Sequence, residues 1–135
     1  MRENGMDSQV IAAALATERK CYAALTEVME LTQDLSDAVQ RQDQVTVQMF
    51  LSMRQEPINQ LKEYRSLQRK RCASLPEEES AALWKVLTGK GADGTGQLQD
   101  LEKVVGQNQS LLERIQQADR QVSVRLGGKK SFYSK

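Results

Sequence analysis

QLQDLEKVVGQNQSLLERIQQADRQVSVRL, residues 97–126, is the stretch whose reading decides the fold. Its apolar residues Leu98, Leu101, Val105, Leu112, Ile115, Val122 and Leu126 recur at three-four spacing, broken only at Asn108 and Asp119. That is the a/d rhythm of a helix packed on other helices. A second row one position earlier, Val104, Leu111 and Ala118, widens the apolar face beyond a two-residue seam, as a helix touching two neighbours requires. Gly127-Gly128 ends the pattern, because glycine adopts the left-handed cap without steric cost, and a basic tail with two aromatics, Lys129 to Lys135, follows.

The same register runs through the start of the chain. Asp7 or Ser8 can cap a first helix, after which Ile11, Ala14, Leu25, Val28, Leu35 and Val39 hold a/d sites with Cys21 between them. Val10, Ala24, Leu31 and Ala38 fill the flanking row. A helix over residues 8–41 is about 50 Å long at the α-helical rise, which implies an elongated bundle. Glu18 and Thr32 fall on this seam and are expected at its water-facing edge.

The polar break from Arg41 to Gln44 reads as a turn with Asp43 capping the next helix, although a polar stretch inside one helix has the same composition. Val47, Phe50, Leu51, Ile58, Leu61, Tyr64, Leu67 and Cys72 then mark a helix over residues 44–73, interrupted by Arg54 and Gln68. Pro57 removes the hydrogen bond to Met53 and crowds its carbonyl, so a kink or break is expected between Arg54 and Ile58. Ser74-Leu75-Pro76-Glu77 has the form of a helix start, with Ser74 as cap and Glu77 completing a capping box. A short helix over residues 76–88 follows, with Trp84 expected as a lid on the core. The architecture predicted is all-α: an elongated antiparallel three-helix bundle with long helices at 8–41, 44–73 and 97–126, the short helix beside one end, all in one domain over residues 1–128, and a flexible tail at 129–135.

Composition bounds the chemistry. With 19 basic and 18 acidic residues the net charge is +1, so no global field draws nucleic acid or an anionic membrane. The cluster Arg65, Arg69, Lys70 and Arg71 reads as a solvated helix end, because positions 70 and 71 turn away from the face of 65 and 69. No apolar run reaches the roughly 18 residues of a membrane span, and the expectation is a soluble cytoplasmic protein. There is no histidine, and the two cysteines, Cys21 and Cys72, lack metal-ligand spacing, so a metal or other cofactor is not expected and both thiols read as core residues. Gly89-Lys90-Gly91-Ala92-Asp93-Gly94 matches G-x-G-x-x-G but follows a helix with no strand, so it reads as a flexible chain reversal and not a nucleotide loop. No nucleophile, base or carboxylate pair forms a catalytic set; only a helical mutase working through Arg54 and Glu18 would fit an enzyme.

A long first helix, a polar break near Gln40 to Gln44, an Arg-rich end to the second helix, Asn108-Gln109-Ser110-Leu111-Leu112 in the last, and Phe132-Tyr133-Ser134-Lys135 after a glycine break together resemble the FlgN-type flagellar export chaperones. The related FliT-type chaperones share the architecture. The resemblance implies a cytoplasmic, monomeric or weakly dimeric protein that holds the hook-associated junction subunits FlgK and FlgL and delivers them to the export-gate protein FlhA. It implies client contact through Leu111, Leu112, Ile115, Val122 and Leu126, and gate docking through Phe132 and Tyr133. From the residues alone, each of those five apolar residues taken singly reads first as ordinary core, Asn108 as a polar seam residue that fixes register or oligomeric state, and Tyr133 equally as a tail residue. The glycine loop, Pro57 and Gly106 depart from the family pattern. The alternative is a structural or adaptor coiled-coil protein that self-associates through its apolar seams.

Overall fold

Asp7 opens the first helix: its side chain accepts the N–H of Gln9 at 2.8 Å, satisfying a donor that the opening turn leaves unpaired. Helix α1 then runs unbroken over Ser8–Gln40. The computed structural model describes residues 2–3, 5–91 and 94–126. Before α1, β1 (Arg2–Glu3) pairs antiparallel with β2 (Met6–Asp7) around Gly5, whose φ of 82° suits the tight reversal. The sequence gives no strand signal there; the pairing is two residues long and serves to fold Met6 into the core.

The expected turn is present. Gln42 takes a left-handed φ of 58°, and Asp43 caps α2 (Gln44–Met53) by accepting from the Thr46 N–H and hydroxyl, which holds its carboxyl below the usual range. The expected break is also present: α2 ends at Arg54, and α3 (Gln55–Ala73) carries Pro57 in its first turn, where a missing N–H costs nothing. The capping box is not. Ser74 instead closes α3, its hydroxyl donating to the Arg71 carbonyl, and Pro76 precedes α4 (Glu77–Leu87) with no side-chain cap. The acidic first turn of α4, Glu77 to Glu79, supplies the dipole complement instead. Helix α5 covers Gly96–Arg125.

Cross-contacts give the directions. Asn108 and Arg125 of α5 reach Glu18 and Ser36 of α1, so these two helices are parallel. Gln68 and Arg54 reach Ala14 and Thr32, so α3 and the α2–α3 junction run against α1. The result is an up-down-up bundle in which α1 is central. Three apolar layers follow its length. One end is built from Ile11, Leu83, Leu101 and Val105, the middle from Leu25, Val28, Ile58 and Ile115, the far end from Leu35, Val47 and Val122. Both cysteines are buried and free. Among the described residues no helix is long and apolar enough to cross a membrane.

Two expectations about the seams are corrected. Thr32 is fully buried instead of wetted, because the Arg54 guanidinium donates to its hydroxyl at 3.1 Å. In α5 the buried position at the middle turn is Leu111, with Leu112 only partly covered, since 3.6 residues per turn drift from a strict seven-residue repeat.

The glycine loop, expected to be flexible, packs on α5 through its described residues: Gly94 N–H donates to Glu102 Oε1 at 3.1 Å, and a Cβ at Gly91 would meet Glu102 Oε2 at 2.8 Å. Gly106 has no such reason to be glycine, since a Cβ there meets nothing within 4 Å. Gly106→Ala is therefore expected to stabilise the protein by about 0.5–1 kcal/mol through the lost freedom of the unfolded chain. The urea midpoint should rise at constant m; a fall would reveal an unseen constraint on α5.

Candidate functional site

Helices α3 and α5 both lie along α1 yet scarcely touch one another. The space between them is a groove, present as two cavities of about 330 and 260 Å³ that share Leu25, Leu61, Arg65 and Leu112. Its floor is one face of α1: Cys21, Leu25 and Val28, at spacings of four and three. Burial pushes the Cys21 thiol up to about 12, with Glu18 adding to the shift and Arg65 opposing it, so the floor stays neutral at physiological pH.

The walls follow the same helical geometry. On α3, Ile58 and Leu61 point inward and Lys62, Arg65 and Arg69 form the lip. On α5, Val105 and Ile115 are inner and Gln109, Leu112 and Gln116 form the facing lip. From Val105 to Gln116 the groove spans about 16 Å of α5, roughly three helical turns.

Helix α4 closes one end: it contacts α3 and α5 and presents Trp84, Leu87 and Thr88. Gln109 Nε2 donates to the Thr88 carbonyl at 3.1 Å, and Gly89, with φ 84°, lets the chain turn beneath it; a Cβ there would lie 2.4 Å from Gln109 Oε1. Trp84 is thus not the core lid expected of it. It is 46% exposed and stands at the groove's end, because the apolar stripe of α4 is Leu83 and Val86. Beyond the other end, Arg54 reaches across to Asp119 at 2.8 Å, with side chains 3% and 0% exposed.

A polar cluster sets the helices in register below Trp84. Asn108 Nδ2 donates to the Glu18 carbonyl and to its Oε1 at 3.0 and 3.1 Å, while Gln68 Nε2 donates to the Ala14 carbonyl and to Glu18 Oε2, both at 3.0 Å. One carboxylate therefore ties α1, α3 and α5 at a single level, with Asn108 buried on the seam. Arg71 belongs to this group: it donates to Thr17 Oγ1 at 3.2 Å and to Gln68 Oε1. The expected solvated cluster is therefore split, with Arg65 and Arg69 on the groove and Arg71 turned to α1.

The five client candidates do not form one surface. Leu112 lines the groove and Ile115 lies at its wall with no exposure; Leu111 and Val122 are core, and Leu126 borders a separate hollow of about 680 Å³ beside the α1–α2 turn. Phe132 and Tyr133 lie outside the described residues. Arg54 and Glu18, the charges of the mutase reading, are held apart, Thr32 lying about 21 Å beyond Glu18 along α1. The residues that sequence reasoning overlooked are Lys62, Gln109 and Gln116. Their signal was available as spacing: 62, 65, 69 and 109, 112, 116 both advance by three and four. Comparison of the chain with protein-family models, with curated proteins and with solved structures finds no match.

Proposed function

We propose that the chain is a flagellar export chaperone of the FlgN type, which holds an amphipathic helix of a hook-filament junction subunit in the groove between α3 and α5. The observation that carries the reading is the pair of helices that share α1 as a floor without closing on each other. A client helix laid there would complete a four-helix cross-section, burying its apolar face on Leu25, Leu61 and Leu112 through anchors at i, i+3, i+4 and i+7. The sequence resemblance supplies the client class, the cytoplasmic setting and the assignment of Phe132 and Tyr133 to docking on the export gate.

Trp84, the single tryptophan, stands at the groove's end and offers the readout. Titration with a synthetic peptide of the terminal helix of a FlgK- or FlgL-type protein is expected to shift its emission to the blue and to give a defined one-to-one complex by light scattering. A stable higher oligomer that ignores the peptide sinks the proposal.

That outcome would favour the self-associating adaptor, for which one observation speaks. Helix α2 has no charged residue, and Val45, Met49 and Met53, spaced by four along it, are 83%, 48% and 49% exposed.

A further inference from the structure

Lys62, Arg65 and Arg69 sit at i, i+3 and i+7 on α3, so they form one row along the lip of the groove. All three are exposed, and among the described residues none has an ion-pair or hydrogen-bond partner. The facing lip, Gln109, Leu112 and Gln116, carries no charge. The one carboxylate lining the groove is Glu18, which already accepts from Gln68 and Asn108. A chain of net charge +1 thus has a local field that is positive on one side of an apolar trough and neutral on the other.

Building on the proposed groove, we infer that its occupant is an amphipathic helix with acidic side chains along one flank, and that the α3 row selects that flank and so fixes the direction in which the helix lies. Reversing a helix while keeping its apolar face down exchanges left and right flanks. A helix acidic on one side only can therefore meet Lys62, Arg65 and Arg69 in just one of its two directions. A nucleic-acid strand is disfavoured because it finds a stacking platform only at Trp84 among the residues that line the groove.

Three 18-residue synthetic helices with the same leucine face, and with one flank of glutamate, glutamine or lysine, test the inference against the full chain by fluorescence anisotropy. The glutamate peptide is expected to bind about tenfold tighter than the glutamine one and tighter still than the lysine one, with the gap closing in 0.5 M salt, the order of effect that partly exposed ion pairs supply. K62E/R65E/R69E should invert the order, and K62Q/R65Q/R69Q should abolish it; circular dichroism confirms that each is folded. Equal binding of all three peptides overturns the charge selection while leaving the groove. Binding of none overturns both. Preferential binding of a poly(dT) oligonucleotide, with no peptide bound, overturns the inference in favour of a nucleic-acid partner.

Discussion

Asp119→Ala is expected to destabilise the bundle by about 3–5 kcal/mol, the loss that follows when one partner of a buried ion pair is removed and the other charge is left in the interior. Asp119 is fully buried and Arg54 nearly so, with Arg54 Nη1 2.8 Å from Asp119 Oδ1. The contact is ionic, its alignment falling short of hydrogen-bond geometry at Oδ1, and the same guanidinium donates to Thr32. The loss should be read from urea or thermal unfolding at pH 7. Replacing both partners by apolar residues, as in R54M/D119L, should recover most of it, because an ion pair gains little over well-packed hydrophobes once its desolvation is counted. A deficit under about 1 kcal/mol for Asp119→Ala would mean that Arg54 reaches water without help.

The pair sits at the interruption of the second helix. Arg54 occupies the single residue between α2 and α3, where the chain leaves the helical path that Pro57 forbids it to continue. It joins the α2–α3 arm to α5, two parts of the bundle that otherwise scarcely meet. Loss of the pair should therefore loosen the groove before it unfolds the core. In hydrogen exchange of Asp119→Ala, α2 and the first turns of α3 are expected to lose protection ahead of α1.

The helices were legible in the sequence because hydrophobic period, caps and breakers are local. Asp7, Asp43 and Pro57 each act where the spacing places them. The Ser74 cap failed because a serine at a helix boundary serves either side: here its hydroxyl turns back to the Arg71 carbonyl. Arg54 and Asp119 read as two unrelated interruptions on two helices, since nothing in a one-dimensional pattern pairs positions so far apart. Their cancellation is visible only once α3 runs against α1 and α5 along it. The groove was hidden for the same reason: periodicity identifies the faces of α3 and α5 turned to α1 but not the gap between them. Only its lips were written in the sequence, as the rows 62, 65, 69 and 109, 112, 116.

Leu112→Asp and Ile115→Asp, three residues apart on α5, are expected to fail in opposite ways. Ile115 has no exposure and packs with Val28 and Ile58 in the middle layer, so a carboxylate there must either desolvate or protonate, and a loss above about 4 kcal/mol is expected. That variant should bind no client because little of it is folded. Leu112 is only partly covered and lies at the groove lip, where a charged side chain can turn to water, so its cost should stay near 1 kcal/mol. In the proposed complex, however, Leu112 is covered by the client's apolar face, and an aspartate there is buried without a partner. Affinity for a junction-subunit terminal helix should fall at least about tenfold, equivalent to 1.4 kcal/mol, with the melting transition almost in place. Leu112→Gln, which adds no charge, should fall between. Full affinity in a folded Leu112→Asp would remove the groove from the client's path, and with it the idea that an open side of the bundle is what this chain uses.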